Sequence, residues 1–579
     1  MKRITDVSNR KEFADFLGIN LRIMNSILYG EKPGVNSYYE VFSIPKKSGG
    51  LRIITAPDAD LKKIQDKLAS KLLEHKKYIR EENNIKVNIS HGFEKNKSIL
   101  TNAKIHVNKR YLLNIDLKDF FPTIHFGRVR GYFQKNKYFK LNNEIATLIA
   151  QLSCCEGKLP QGAPTSPIIA NMICEILDLR ILKLCKKYKV DYTRYADDLS
   201  FSTNDRNFLL NKDNFLEEVN QEITHAGFSI NTSKTRLAFR NSKQTVTGLV
   251  VNKKVNIDNL YYKRTRAMAN ELYKTGHAFD GEEELNIKNI EGRFSFVNHI
   301  DHMNNDIDLG DNVAKHNFYS LNGREKQFQK FLFYKYFFAN EKPLIVTEGK
   351  TDILYLKAAL KSLYLEYPEL IELTEDYTFK YKISFLKKSK KLKYFFNFPE
   401  DGASIFTDIY GFYGHTDKKN SKNYSNYINQ FKKLSDSLPK NPVFMLFDNE
   451  MSSKKPLGSF LEKFKFDEDR KQFIEDNLYI NLSDNLYLST VPMNDNDRCK
   501  NSNETDIEDL FSDVVLEKII GGKSFHKKEK GFNPTKHYGK EIFSKFVYSY
   551  YEDIDFTNFK PILNNIRNII SMYSSVLKN

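Results

Sequence analysis

The sequence predicts a multidomain α+β chain that ends in a separate α/β domain. Three observations carry that expectation. The chain has 579 residues, several times the usual domain length. Short β-rich runs alternate with helical stretches up to about residue 255. After Pro343 the pattern returns to apolar strands each followed by a helix.

Taken in order, residues 10–29, "RKEFADFLGINLRIMNSILY", place apolar side chains at helical spacing on both sides of Gly18, which predicts two short helices. The runs "YYEVFSIPKK", "LRIITAP", "RYLLNIDL" and "TRYADDLSFS" predict strands of an α+β region. Residues 258–340 read as mostly helical and rich in Tyr, Lys and Arg, as in "NLYYKRTRAMANELYKTG". Then "LIVTEGKTDILYLKAALKSLY" and "PVFMLFDNE" begin the second α/β region, and the basic patch "LKKSKKLKYFF" at 386–396 reads as a solvated insertion.

Composition narrows the function classes. Ninety Lys and Arg against 73 Asp and Glu give a formal charge of +17, which attracts a polyanion, with nucleic acid the leading partner and a solvated basic face the plain alternative. Cys154, Cys155, Cys174, Cys185 and Cys499 form no CxxC pair, so neither a zinc ribbon nor a disulfide framework is expected. No apolar run approaches the roughly 18 residues of a membrane span, and the opening "MKRITDVSNRKEF" has no apolar core behind its charges, so the expectation is a cytoplasmic chain with no membrane partner.

Two acidic stretches carry chemistry. In "LLNIDLKDFF" a strand ends in Asp116, and in "RYADDLSFS" two strands flank Asp197 and Asp198 at a tight hairpin. Carboxylates on neighbouring strand ends can hold two divalent cations that activate a 3′ hydroxyl and stabilise a leaving pyrophosphate. Oxygen ligands of this kind suit magnesium. A DD pair also occurs at surface turns without function, and the surroundings decide. In "LIVTEGKTDILYL" the four-residue spacing aims Glu348 and Asp352 across a strand-to-helix turn where Gly349 lets the backbone bend. In "VFMLFDNE", Asp448 and Glu450 share one side of a strand end, so these two strands can share a second metal centre.

Residues 40–255 resemble the reverse transcriptases. "LPQGAPTSPIIAN" (159–171) is similar to the loop and helix beneath the incoming nucleotide, "GFSINTSKTR" (227–236) to the strand after the catalytic hairpin, and "GGLRIITAP" (49–57) to the fingers strand over the triphosphate. The resemblance implies a right-hand polymerase of fingers, palm and thumb whose metal-binding triad is Asp116, Asp197 and Asp198, with Asp197 the stronger ligand of the pair. It implies that Arg52 contacts the triphosphate, Gln161 positions the nucleotide, Lys234 assists pyrophosphate departure, and the ring of Phe121 excludes a ribose 2′-hydroxyl. "NAKIH" (102–106) matches the NAxxH pattern and "VTGLVVN" (246–252) the VTG pattern of bacterial retron reverse transcriptases. Asn102, His106, Val246, Thr247 and Gly248 are then expected at RNA, with Lys263, Arg264 and Arg266 on template and product phosphates and Tyr261 and Tyr262 against sugars or bases. The family implies a cognate noncoding RNA, deoxynucleotide triphosphates and a branched RNA–DNA product.

The C-terminal acids resemble the TOPRIM fold of topoisomerases, primases and nucleases, and the chain resembles retron enzymes with such a domain fused. That implies catalytic Glu348, Asp448 and Glu450, further metal contacts from Asp352 and from Glu508 in "SNETDIEDLF", with Asp509 as second choice for the latter. Lys536, Lys540 and Lys545 are the weak candidates for a phosphate-binding lysine, and Glu450 departs from the expected Asp. The expected layout is fingers and palm with N-terminal helices over 1–255, a helical thumb over 256–335 and a TOPRIM-like effector domain over 336–579. Two-metal magnesium sites are expected in both halves, in the service of antiphage defence, and homo-oligomerisation is left open. The competing reading makes the C-terminal half a noncatalytic module that binds the RNA–DNA hybrid. A third, a mobile-element polymerase that integrates DNA, lacks maturase and HNH-type features.

Overall fold

The structure is a computed structural model that describes residues 3–30, 34–46, 49–86, 88–304, 320–399, 402–416, 424–493, 504–527 and 530–578; Cys499 lies outside them. The chain divides into two compact units, Met1–Asp258 and Asn259–Asn579. Among the described residues no helix is long and apolar enough to cross a membrane.

The first unit opens with α1 (Arg10–Leu17) and α2 (Leu21–Tyr29). Asn9 caps α1 by accepting from the Glu12 amide, and Gly18 ends it at φ 61°, a left-handed turn that glycine makes without a Cβ penalty. An antiparallel hairpin follows, β1 (Tyr39–Pro45) and β2 (Leu51–Pro57), with Ile44 opposite Arg52. Helices α3 (Ala59–Glu82) and α4 (Ile99–Ile105) lead to β3 (Tyr111–Asp116). After α5 (Phe126–Lys135), α6 (Asn143–Ser153) and α7 (Thr165–Tyr188) come β4 (Asp191–Tyr195), β5 (Asp198–Thr203), α8 (Phe208–His225) and β6 (Arg236–Phe239). The four strands form one antiparallel sheet in the order β4-β5-β3-β6. A short hairpin, β7 (Thr245–Val246) and β8 (Leu249–Val250), closes the unit.

Strand alternation explains how this sheet is covered on both faces. Side chains along a strand point alternately to opposite sides. Tyr192 and Arg194 therefore face α7, where both bond Asp178. Thr193 and Ser202 face the other way and meet His106, the residue that ends α4. His106 is fully buried, with Nδ1 2.7 Å from Ser202 Oγ and Nε2 2.7 Å from Thr193 Oγ1. A neutral ring satisfies both hydroxyls by donating through one nitrogen and accepting through the other.

In the second unit, α9 (Asn259–Thr275), α10 (Ile287–Asn304) and α11 (Gly323–Phe333) precede a turn of π-helix at Tyr334–Phe338. Strand β9 (Leu344–Thr347) and helix α12 (Lys350–Ser362) follow, then β10 (Ser384–Phe385), α13 (Lys390–Phe396), α14 (Ser404–Phe412), α15 (Tyr427–Ser435), β11 (Val443–Phe447), β12 (Tyr479–Ser483) and β13 (Leu486–Thr490). Helices α16 (Lys540–Ser549) and α17 (Lys560–Lys578) complete it. The sheet order is β10-β9-β11-β13-β12, parallel except for β12 at one edge. Every residue of β11 is buried, as a central parallel strand covered on both faces requires. Leu344, Val346, Val443, Met445 and Phe447 pack into one core with Phe331, Phe337 and Phe412. Ile345, Phe444 and Leu446 pack into another with Tyr355, Phe511 and Phe543. Met268, Leu272 and Phe294 of α9 and α10 belong to the first of these cores.

Burial pushes the His106 ring down to about 4 from its ordinary 6.5. Folding thus favours the neutral ring, so its contribution is full above pH 6.5 and is lost as pH falls towards 4, to a total of about 3 kcal/mol. Hydrogen exchange of the β4 and β5 amides should show protection falling between pH 7 and pH 5 more steeply in the native chain than in His106→Gln. Parallel pH profiles for the two would remove His106 from the account.

Candidate active sites

Strand pairing assembles the first site. Tyr195 pairs with Asp198, so only Ala196 and Asp197 form the loop between β4 and β5. Ala196 takes φ 55°, a left-handed conformation that costs a non-glycine residue about 1–2 kcal/mol. Asp116 pairs with Asp198 across β3 and β5, and the Leu117 amide donates to the Asp197 carbonyl at 3.0 Å. The three carboxylates expected from sequence therefore stand together. Lys234 Nζ lies 3.1 and 3.0 Å from the two oxygens of Asp116, and Asn231 Nδ2 donates to Asp116 Oδ1 at 3.2 Å. Burial, with the charges of Asp197 and Asp116, pushes Asp198 up to about 7. Burial also raises Asp197, with Asp116 adding to it and Lys234 and Arg52 opposing.

The strained loop is held from behind. Arg194 is fully buried and meets Asp178 through two parallel bonds, Nε to Oδ1 at 2.9 Å and Nη2 to Oδ2 at 2.8 Å. Its remaining nitrogen, Nη1, donates to Asn171 Oδ1 at 3.1 Å and to the Ala196 carbonyl at 3.2 Å. Gly92 passes so close that a Cβ there would sit 2.8 Å from the Ala196 nitrogen, and its carbonyl accepts from Asn171 Nδ2 at 2.8 Å. Sequence reasoning missed Arg194, Asp178 and Asn171. The available signal was a charged residue at an inward position of "YTRYADD".

The nucleotide candidates sit on elements docked to one another. The Thr55 amide donates to the Gln161 carbonyl at 2.9 Å. Gly162, at φ 138°, lets that approach happen, since a Cβ would lie 2.8 Å from the Thr55 carbonyl oxygen. Arg52 is exposed on β2, in the same hairpin, and its charge reaches Asp197. Phe121 is half-buried, its ring 5.2 Å from Phe120 and 6.3 Å from Phe93.

Of the RNA candidates, Asn102, His106 and Val246 lie below the surface. These side chains are turned into the protein rather than to solvent: alternation on the strands turns His106 into the sheet, and the Thr247 hydroxyl ties the β7–β8 hairpin to the Ile99 carbonyl of α4 at 3.4 Å. Gly248 is exposed at φ 83°. Lys263, Arg264 and Arg266 are exposed on α9 in the second unit, whereas Tyr261 and Tyr262 stack against Arg293 and Arg324 at 4.5 and 5.1 Å.

In the second unit, Glu348 follows β9 and Asp448 follows β11, two adjacent parallel strands in which Thr347 pairs with Leu446. The Asp448 amide donates to Glu348 Oε1 at 3.2 Å, and the Ile507 amide to Asp448 Oδ1 at 3.0 Å. Burial, then Asp352 and Glu450, push Glu348 up to about 7. Burial and Glu348 raise Asp448 well above the usual carboxylate range. Asp352 is the third residue of α12 and accepts from the Gly349 amide at 2.8 Å, so its carboxylate also caps that helix. Glu508 is fully buried with Lys540 Nζ 2.9 Å from Oε2, and burial pushes it up to about 7.

Only Lys540 of the three candidate lysines reaches these acids: Lys545 pairs with Glu541 at 2.9 Å and Lys536 is exposed. Asp509 instead pairs with Lys527 at 2.8 Å. Sequence reasoning missed Asp506, which adds to the charge felt by Asp448 and, although burial opposes it, is held below its ordinary value by Lys527, Lys540 and a bond with Asp509 together. It also missed Lys388, whose Nζ donates to the Glu348 carbonyl at 2.6 Å. No spacing in "SNETDIEDLF" separates Asp506 from its acidic neighbours.

Among the described residues no group of Asp, Glu, His and Cys side chains is drawn together tightly enough to enclose a metal ion. The donor sets still fit one. The first site is all carboxylate, with repulsion that a cation would relieve. In the second, the buried oxygens Glu508 Oε1 and Asp506 Oδ1 accept no hydrogen bond among the described residues.

The reverse transcriptase (RNA-dependent DNA polymerase) family profile matches residues 44–259. The chain is 35% identical over 266 residues to the retron Ec86 reverse transcriptase of Escherichia coli, which covers 45% of this chain and 77% of that one. It is 31% identical over 308 residues to the retron Mx65 reverse transcriptase of Myxococcus xanthus, covering 50% of this chain and 67% of that one. A solved apo telomerase from Candida tropicalis is similar over 52% of this chain and 61% of its own at a TM-score of 0.30 and 14% identity, too loose a likeness to carry an argument. With the hairpin acids and the two retron patterns joined to these relatives, the chain belongs to the retron reverse transcriptases.

Proposed function

We propose that the chain copies part of a cognate noncoding RNA into DNA that stays attached to the RNA, and that its second unit is a TOPRIM-type, metal-dependent nuclease held in check by that product. The observation that carries the polymerase assignment is the meeting of Asp116, at the end of β3, with Asp197 and Asp198 of the β4–β5 hairpin, braced from behind. Magnesium held by these carboxylates would activate the primer hydroxyl and stabilise the leaving pyrophosphate. Lys234, resting on Asp116, keeps a positive charge beside the place where pyrophosphate charge develops. Arg52 and Gln161, on docked elements, hold the triphosphate and nucleotide. Phe121, half-buried among rings, stands against the sugar and favours deoxynucleotides. The exposed Lys263, Arg264 and Arg266 neutralise template and product phosphates.

The nuclease reading rests on Glu348 and Asp448 at the ends of adjacent parallel strands, with Lys540, paired to Glu508, as the lysine that would meet a phosphate. A role in antiphage defence rests on the resemblance to TOPRIM-fused retron enzymes alone. The second reading, a noncatalytic hybrid-binding module, is favoured by two observations: Asp352 is engaged as a helix cap and Glu450 in an ion pair with Lys455.

Asp197→Asn with Asp198→Asn should abolish DNA synthesis on the cognate RNA in the full chain, while Glu348→Gln leaves it within about twofold, because the two sites share no ligand. Normal satellite DNA from the double variant would overturn the polymerase site. Phe121→Ala should raise ribonucleotide incorporation at matched pools by about tenfold or more, the scale of one lost steric contact; an unchanged preference would return Phe121 to the core. Degrading the branched product should release Mg²⁺-dependent cleavage of RNA or DNA that Glu348→Gln and Asp448→Ala each abolish. Cleavage that persists in both variants, or none in the native chain, would favour the binding-module reading.

A further inference from the structure

Glu450 is the acid that its spacing from Asp448 would assign to a second metal ion, and it is already paired. Lys455 Nζ lies 2.5 Å from Glu450 Oε1 and 3.4 Å from Glu504 Oε2. Glu450 and Glu504 stand directly opposite each other in a two-residue antiparallel ladder with Asn449 and Thr505. Like charges in that register repel unless a cation sits between them.

The lysine is built into this position. Its amide donates to the Ser452 carbonyl at 2.9 Å, and Pro456 begins a helix immediately after it. Gly458 of that helix sits so close to the loop that a Cβ would lie 2.4 Å from the Met451 carbonyl oxygen. The helix start, the loop and the lysine backbone are thus locked to the strand that carries Glu450. A magnesium ion needs its oxygen ligands at about 2.0–2.1 Å and would have to share the Glu450 carboxylate with an ammonium already in contact with Oε1. Two cations on one carboxylate repel each other, an effect that water weakens here because the Lys455 side chain is 40% exposed. On the other side, among the described residues no lysine bonds the carboxylate oxygens of Glu348 and Asp448; their bonds there come from the main-chain amides of Asp448 and Ile507. Lys388 reaches the Glu348 carbonyl instead.

We propose that Lys455 is an internal cation that takes the place of a second divalent ion in the second site, so that this site binds one divalent ion, on Glu348 and Asp448. The inference rests on the reading of the second unit as a metal-dependent nuclease and narrows it to a one-metal centre. It also accounts for a glutamate at 450: its reach extends by one methylene, enough to meet a lysine rather than a metal shared with Asp448.

The test counts ions. The full chain carrying Asp116→Asn, Asp197→Asn and Asp198→Asn, which removes the first site, is titrated with Mn²⁺ while free Mn²⁺ is read by electron paramagnetic resonance. One bound ion per chain is expected, falling to none with Glu348→Gln. Lys455→Met and Lys455→Ala should each raise the count to two by freeing Glu450 and Glu504, and Lys455→Arg should leave it at one. Each variant is carried forward only if its thermal unfolding matches the parent. Two ions with Lys455 in place, or one ion still after both neutral substitutions, would overturn the inference while leaving the nuclease reading intact. No ion in any of these chains would overturn that reading, and the inference with it.

Discussion

A buried guanidinium sets the first site. Arg194 uses a bidentate pair with Asp178 to fix its plane and spends its last nitrogen on the carbonyl of Ala196, the strained residue of the hairpin that carries Asp197. Breaking a buried pair of this kind by removing one partner leaves an uncompensated charge and costs about 3–5 kcal/mol. Only Arg can serve, because the site needs three directions of donation from one rigid plane. Asn171 extends the same bracing to Ser90 and Gly92, so the segment before α4 is fastened to the hairpin as well. Placement of the acids therefore depends on a polar network behind them rather than on the acids themselves, which repel one another.

The two units meet the same electrostatic problem with different architecture. In the antiparallel sheet, a two-residue loop and a neighbouring strand end bring carboxylates together, and Lys234 offsets part of their charge. In the parallel sheet, the ends of β9 and β11 supply Glu348 and Asp448, and lysines arrive from outside the strands: Lys540 from α16, Lys527 on Asp506 and Asp509, Lys455 on Glu450 and Glu504. Burial raises Asp198 and Glu348, and raises Glu508 even with Lys540 on it; at Asp198 and Glu348 a divalent ion would relieve that cost.

Much of this was legible in the sequence because it is local. The strand ends at Asp116, Asp197, Glu348 and Asp448, the helix break at Gly18 and the order of the motifs follow from spacing and alternation. Partners distant in sequence were not legible. Nothing in "NAKIH" says that His106 turns inward to Thr193 and Ser202, because which face of a short helix is buried depends on what packs there. Likewise the pairing of Glu450 with Lys455, and the choice of Lys540 over Lys536 and Lys545, depend on helix placement rather than on composition. Arg194 was the readable exception, a charge at an inward strand position that passed unnoticed.

The claim that Arg194 acts by holding the hairpin, beyond contributing stability, has a direct test. Replacing the pair together, Arg194→Met with Asp178→Leu, removes both charges at similar volume, an exchange that buried ion pairs often tolerate with little or no loss of stability. The prediction is a chain that unfolds near the native temperature yet extends a primed RNA template at least about a hundredfold more slowly, the scale expected when reacting groups are displaced by roughly 1 Å. Full synthesis from that stable double variant would contradict the account, since the acids would then hold their positions without the guanidinium behind them.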